Sequence, residues 1–524
     1  MATRHELLLI GILGLLCGAL GALLVSVSAA PTATVEGVVV DQDGAPVGGA
    51  VVRWRTTDYV TTAAPDGRFS LTSLPDGQEI EITAWADGYY IAGSHVTPTI
   101  SGVTLTLRLY HRRDYPNYVW TSPLTGTSAK ACGNCHPMIV AQWITNAHGS
   151  AVFNPRFYSL YNGSDLTSTA TVGPGYLLDF AGTAGNCANC HAPAAGIDGY
   201  LTTPMNDVRD VITAGIHCDY CHKVGGVYLD PATEAPYPNV PGAQSARLLR
   251  PPPGDNIFFG PYDDVPDPDT YLPDISESRF CAPCHQFSFW GTPIYESYTE
   301  WLASPYAEAG TTCQNCHMPP TGDAYFALPE RGGLPRLPEQ IPSHLQLGVT
   351  NLALLQNAVS MTISVRQVGK GLEVTVVVTN SGAGHHAPTD HPGRHLILTV
   401  VAEGEQGLAL PLQSGPVVPT WGGDQAGLPG RAFAKVLRDA QTGEQPVVSY
   451  WKQSFIVSDN RLPALGNDRS TYTFALPSGG GAVTVTAELR FRRIFQAVME
   501  AKGWNEPDVV MERIVWEDTP ELLP

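Results

Sequence analysis

The sequence predicts a multidomain chain: a small β-sandwich at the N-terminus, a central segment of short helices and irregular chain, and a second β-sandwich at the C-terminus. Three observations predict it. At 524 residues the chain is too long for one ordinary core. Gly (53) and Pro (44) are abundant, which favours strands, turns and irregular segments over long helices. Ten of the 11 cysteines fall in one repeated pattern between residues 132 and 317, and strand-like alternation lies on both sides of it.

Residues 1–30 read as a signal peptide or signal anchor. Arg4 precedes an uncharged apolar run from Leu7 to Val27, which ends in Ser28-Ala29-Ala30 before Pro31. The small residues suit signal peptidase, whereas the length of the run suits an uncleaved membrane anchor; both readings stand. No Lys or Arg lies between Arg4 and Arg53, so either reading puts the rest of the chain outside the cytoplasm, in the periplasm or at the cell surface. Cys17 reads as an apolar filler of this segment.

Residues 31–112 alternate as short strands. Val35 to Val40, the turn Asp41-Gln42-Asp43-Gly44, and Pro46 to Val52 give strand, turn, strand. Asp66-Gly67, Asp76-Gly77 and Asp87-Gly88 mark further turns. This run resembles the carboxypeptidase regulatory-like β-sandwich, which implies a spacer or docking module without catalysis.

Residues 113–359 contain five copies of Cys-x-x-Cys-His: Cys132/Cys135/His136, Cys187/Cys190/His191, Cys218/Cys221/His222, Cys281/Cys284/His285 and Cys313/Cys316/His317. We number these sites 1 to 5. Two thiols at this spacing add to the two vinyl groups of one haem, and the adjacent His reaches the iron as proximal ligand. Zinc ribbons and disulfide staples do not require a His after each pair. Five haem c groups are therefore expected, packed closely enough to form much of the central core. The motif starts are separated by 55, 31, 63 and 32 residues, so a lone first site is followed by two repeated pairs. The stretch 230–283 is Pro-rich and acidic; it reads as covering chain, with Asp263 and Asp264 as an alternative ion or partner site.

The sixth ligand decides whether an iron only carries electrons or also binds substrate. Ten histidines lie outside the motifs. The distal candidates are His148, in a short helix expected over 143–149; His217, directly before Cys218; His344, opening a helix expected over 343–359 with Ser343 as its cap; and His385 and His386, in a Gly-rich loop between two strands. His391 and His395 either supply the fifth ligand or flank that loop. His95 and His111 read as surface or turn residues. Met138, Met205 and Met318 read as packing.

Residues 360–524 alternate again, over 361–368, 372–379, 395–402, 450–457, 471–476 and 483–490, which predicts a larger β-sandwich followed by a helix over 494–502.

Gly215-Ile216-His217-Cys218-Asp219-Tyr220-Cys221-His222-Lys223 and Cys313-Gln314-Asn315-Cys316-His317-Met318-Pro319 together resemble the multihaem cytochromes related to the tetrahaem carriers of the hydroxylamine pathway. That resemblance implies stacked haem pairs and mostly bis-His irons, with distal His residues supplied from distant segments. The loop 379–389 resembles one in sandwich domains of other multihaem cytochromes, which points to His385, although His386 directly after it leaves the choice open. Extracytoplasmic electron transfer through five haems is the function expected. The alternatives are a multihaem oxidoreductase acting on a small nitrogen compound at one five-coordinate haem, and a subunit of a polymeric cytochrome wire. The absence of a Cys-x-x-Cys-Lys motif and the supply of spare His weigh against the enzyme. A net charge of −19 argues against nucleic acid; it either suits a basic or membrane-bound redox protein as partner or only maintains solubility.

Overall fold

The computed structural model describes residues 32–518 apart from 100, 125, 128–130, 200, 209–214 and 477–480. The apolar segment Leu7–Val27 and its targeting role lie outside the described residues. Among the described residues no helix is long and apolar enough to cross a membrane. The chain divides into two compact units, Met1–Leu109 with Asp263–Asp267, and Tyr110–Tyr262 with Pro268–Pro524.

The first unit holds strands β1 (Thr32–Asp41), β2 (Val51–Trp54), β3 (Val60–Thr62), β4 (Arg68–Pro75), β5 (Ile80–Trp85), β6 (Ala92–Val96) and β7 (Ser101–Leu107). They form sheets ordered β4-β1-β7 and β3-β2-β5-β6. Period-two alternation turns Val35, Val39, Phe69 and Leu71 into a shared core with Val52, Ile82 and Leu105. Gly37 is required on β1, because a Cβ there would lie 2.2 Å from the Val103 carbonyl oxygen and 2.8 Å from the Phe69 ring. The strand expected from Pro46 starts only at Val51, since Gly49 at φ 80° extends the turn. Arg53 grips Asp263 through Nε and Nη2 at 2.9 and 3.0 Å, and the Thr56 amide donates to Asp264 at 2.7 Å. The carboxylates weighed as an ion site are thus structural partners within this unit.

The second unit begins with residues 110–262 and 268–345, which carry little regular structure. Among the described residues of this stretch the longest helices, Pro137–Ile144 and Pro155–Asn162, have eight residues each. Strands β8 (Val224–Val227), β9 (Ala246–Leu248), β10 (Phe258–Gly260), β11 (Asp269–Tyr271), β12 (Phe287–Phe289) and β13 (Thr292–Tyr295) form only two-stranded ribbons. The helix expected over 143–149 lies earlier, because Pro137 at its first position starts it directly after His136. His148 sits instead in a turn, where the Asn146 side chain accepts from the Gly149 amide at 2.9 Å. The helix expected from Ser343 begins at Leu352, capped by the Asn351 side chain accepting from the Leu354 amide. Residues 343–347 are an irregular strap, pinned where the His344 amide donates to Gln142 at 2.7 Å and the Leu347 amide to the His317 carbonyl at 2.9 Å.

The C-terminal part is a sandwich of two antiparallel sheets. β14 (Ser360–Val368), β15 (Gly371–Thr379), β17 (Leu412–Ser414) and β20 (Asn467–Ala475) form one, ordered β14-β15-β20-β17. The other is β19-β18-β16-β21-β22, from β16 (His395–Glu403), β18 (Gly430–Asp439), β19 (Ser454–Asp459), β21 (Val483–Arg492) and β22 (Val509–Asp518). Val374, Val376 and Val378 meet Leu396, Leu398, Val400, Phe433 and Leu489 in one core. The helix spans Gln496–Lys502, shorter than expected. β18 and β22 were not expected, and residues 450–453 lie outside β19.

Candidate haem centres

Each motif folds as a helical turn. The His136, His191, His222 and His285 amides donate to the carbonyls of Cys132, Cys187, Cys218 and Cys281 at 2.9, 2.9, 3.0 and 3.2 Å, and Cys313–His317 is a short helix that includes Cys316. A helical turn puts residues i and i+3 on one face and i+4 beside them, so both thiols and the imidazole address one ligand. All ten motif thiols are free of disulfides and half-buried, as attachment points must be.

Site 1 departs from the other four at Cys135. Its turn is a short 3-10 segment, Cys132–Asn134, so Cys135 lies just beyond the helical residues, at φ −113°. Pro137 is the cause: it has no amide with which to continue the turn, and it pushes His136 off helical geometry, to φ −120° and ψ 50°. The second thiol of this site therefore stands at the end of a 3-10 turn, whereas its counterparts lie within helical residues. Its backbone is held from both sides, the Cys135 amide donating to the Cys132 carbonyl at 3.1 Å and the Leu328 amide donating to the Cys135 carbonyl at 2.8 Å.

The proximal rings are oriented from behind. Nδ1 of His136 meets the Phe326 carbonyl at 2.8 Å, that of His222 the Phe259 carbonyl at 2.6 Å, and that of His317 the Leu347 carbonyl at 2.5 Å. A carbonyl only accepts, so each Nδ1 carries the proton and each Nε2 keeps a free lone pair for a metal. His285 differs: its Nδ1 lies 3.3 Å from a carboxylate oxygen of Asp390. His191 packs against the Phe157 ring at 4.1 Å.

Three distal candidates face proximal rings. His148 lies opposite His285 with ring centroids 6.4 Å apart, His344 opposite His222 at 6.5 Å, and His385 opposite His317 at 6.3 Å. Metal–imidazole bonds of about 2 Å on either side of one ion hold ring centroids about 6 Å apart, so each gap suits an iron and its macrocycle plane. The planes of the three pairs are inclined by 57°, 24° and 13° respectively. Nδ1 of His385 is turned to the His386 carbonyl at 2.9 Å, which frees its Nε2. His386 instead lies 3.5 Å from Glu300, beside the buried Arg461.

His217 and His391 are not in such pairs. In both the Nε2 atom is buried and unpartnered, which is costly for a polar nitrogen unless something binds it. Their Nδ1 atoms accept long contacts, from the Tyr220 amide at 3.3 Å and the Gly393 amide at 3.1 Å. His391 also packs edge-on against Tyr450, whose phenol is pushed up by burial and by the nearby Cys187 and Cys190 thiols, so it lies near site 2. His395 has an unpartnered Nε2 but is enclosed by Phe495 and Trp421. Burial holds His148, His191, His217 and His344 down to about 4 and His391 to about 3, so at neutral pH these rings are uncharged, the first requirement for ligation. At His285 burial works in the same direction, yet Asp390 outweighs it and lifts the ring to about 9, so ligation there must displace the Nε2 proton while Nδ1–H stays on Asp390. Burial alone would raise Asp390; hydrogen bonds from His285 and Ser297 and the Arg394 charge keep its carboxyl well below the usual range. Among the methionines, Met205 is buried in packing with Val152 and Tyr161, while Met138 is exposed.

Thiols of different motifs stand side by side: Cys132 with Cys218, Cys190 with Cys284, and Cys281 with Cys313. Cys221 is also within electrostatic reach of Cys284. The attachment points therefore form one connected network in which site 4 neighbours sites 2, 3 and 5, and site 1 neighbours site 3. At site 1 the contact runs through Cys132 rather than Cys135. The loop between β15 and β16 reaches several of the sites, with His385 at site 5, Asp390 at site 4 and His391 near site 2.

Residues 34–110 match the carboxypeptidase regulatory-like domain family, and residues 131–223 match the cytochrome c554 and c-prime family. No curated protein sequence matches the chain. The crystal structure of a pentahaem cytochrome c552 from Thermochromatium tepidum aligns with a TM-score of 0.54 at 20% identity, covering 74% of this chain and 97% of that one. A 3-chlorocatechol 1,2-dioxygenase from Rhodococcus opacus 1CP aligns over 15% of this chain and 60% of its own at 15% identity, with a TM-score of 0.13 that supports no argument. The chain thus joins an N-terminal segment that matches the carboxypeptidase regulatory-like domain family to one that matches the cytochrome c554 and c-prime family, and it shares the fold of a pentahaem cytochrome.

Proposed function

We propose that the chain carries electrons outside the cytoplasm between redox proteins, with haem c bound at all five motifs. The observation that carries this reading is the set of three facing imidazole pairs, His285/His148, His222/His344 and His317/His385, each with a gap suited to one closed iron. Bound haem supplies a one-electron couple without proton chemistry at the iron. The protein's own part is to clamp each proximal ring from behind, close the opposite side with imidazole, and hold neighbouring attachment points in contact. His217, beside Cys218 and hence beside Cys132, is the sixth ligand we assign to site 1; His391 is the one we assign to site 2. The net charge of −19 favours a basic partner surface.

A second reading has support at sites 1 and 2 alone. To ligate in the usual tautomer, His217 and His391 must release their Nδ1 contacts to the backbone amides. If either ring keeps its contact, that iron stays open, and the chain becomes an oxidoreductase for a small nitrogen compound. Electron paramagnetic resonance of the oxidised protein decides between the two. Five low-spin ferric signals are expected, and a stoichiometric high-spin signal rejects full closure.

A further inference from the structure

We propose that Asp390 is a positioning residue that holds site 4 at a lower reduction potential than sites 1, 3 and 5. The inference deepens the electron-transfer reading and rests on it. Behind His136, His222 and His317 stands an amide carbonyl; behind His285 stands a carboxylate. That carboxylate is no surface group. Asp390 is 8% exposed, and its other oxygen accepts from the Ser297 hydroxyl at 2.6 Å and the Ser297 amide at 3.3 Å.

Two effects of the same sign follow. A carboxylate draws the Nδ1 proton more strongly than a carbonyl does, which makes Nε2 a stronger donor to the metal and stabilises the ferric state. A buried negative charge beside the site also favours the oxidation state with one more positive charge. Both make reduction at site 4 harder. Because the Cys281/Cys284 attachment neighbours those of sites 3 and 5, an electron is less stable at site 4 than at either and moves outward toward them.

Asp390→Asn keeps the side-chain shape while removing the charge and weakening the acceptor. Spectroelectrochemical titration of the full-length holoprotein should show one of five midpoints moving upward by about tenfold in its reduction equilibrium, which is about 59 mV for a one-electron couple. The other four should hold. The 57° inclination of the His148 and His285 rings sets this site apart from the two nearly parallel pairs, so its low-spin ferric signal should be the one that shifts. Ser297→Ala, which removes the hydroxyl that aims Asp390, should move the same midpoint in the same direction by less, and it decides the matter alone if Asp390→Asn does not assemble. A variant with five haems and no upward shift overturns the proposal. Fewer than five haems by pyridine haemochrome in the wild-type protein overturns the electron-transfer reading itself.

Discussion

The C-terminal sandwich and the haem-binding stretch belong to one compact unit but are held together by different means. In the sandwich, strands of nine or ten residues pair in register and bury Val374, Val376, Leu398, Phe433 and Leu489 against one another. Residues 110–345 instead distribute their buried side chains over small clusters such as Trp120, Tyr220 and Leu248, or Val152, Tyr161 and Met205. A chain that must leave room for large flat groups cannot also close a continuous core of its own. The sandwich folds around its side chains, whereas on the proposed reading residues 110–345 fold around haem, and the loop 380–394 joins the two.

The largest expected effect breaks this comparison in two. In cells lacking cytochrome maturation, the chain should be cut rapidly by protease within residues 131–345, while 360–518 persists as a resistant fragment. Equal resistance of the apo and holo chains across both regions would defeat the idea that cofactors form the core.

The next effect is confined to one site. His385→Ala should convert one of the five low-spin ferric signals to high spin, because it removes the ring facing His317. His386→Ala should leave all five spin states unchanged, since that ring is turned toward Glu300. The reverse pattern would exchange the roles of the two residues.

Behind the same loop lies a buried charge cluster. The Arg461 side chain is 3% exposed and pairs with Glu300 at 2.7 Å and Asp459 at 2.7 Å. Arg461→Met leaves Glu300 buried without its partner and should cost about 3–5 kcal/mol by denaturant unfolding of the holoprotein. A loss below about 1 kcal/mol would mean that water or His386 compensates the carboxylate.

These contrasts also explain what the sequence discloses. Thioether attachment needs two thiols and an imidazole within five consecutive residues, so every motif is legible as a string. The local shape of each motif is less so, and Cys135 falls outside its helical turn because of a proline two positions later. Candidate distal ligands are assembled through space: His344 is 122 positions from His222 by number, and only the fold makes them face each other. Asp390 gave no signal, because a lone acidic residue in a Gly- and Pro-rich loop looks like turn chemistry. β18 was hidden because Lys435, 1% exposed and paired with Glu296, interrupts its apolar run with a buried charge. The misplaced helix start had a better marker downstream, Asn351 immediately before Leu352-Ala353-Leu354-Leu355, which is a cap followed by an apolar run.

The smallest effect we predict sharpens the comparison from the sandwich side, where stability should depend on pH through ordinary side chains. At the end of β18, Asp439 is brought down to about 2: burial opposes this, but an ion pair with Lys452 and hydrogen bonds from the Gln441 and Thr442 amides at 2.8 and 2.9 Å outweigh it. A carboxylate depressed in the folded state adds stability that is fully present above its unfolded value near 3.8 and is lost as pH falls toward 2. Asp439→Asn retains an acceptor for the amides but not the charge, so it should cost roughly 1–2 kcal/mol at pH 6 and progressively less below pH 4. Denaturant unfolding of both proteins across that range measures the difference directly, and haem loss in acid cancels between them. A difference that stays constant down to pH 2.5 would place the stabilisation in hydrogen bonding alone and remove the Lys452 pair from the account.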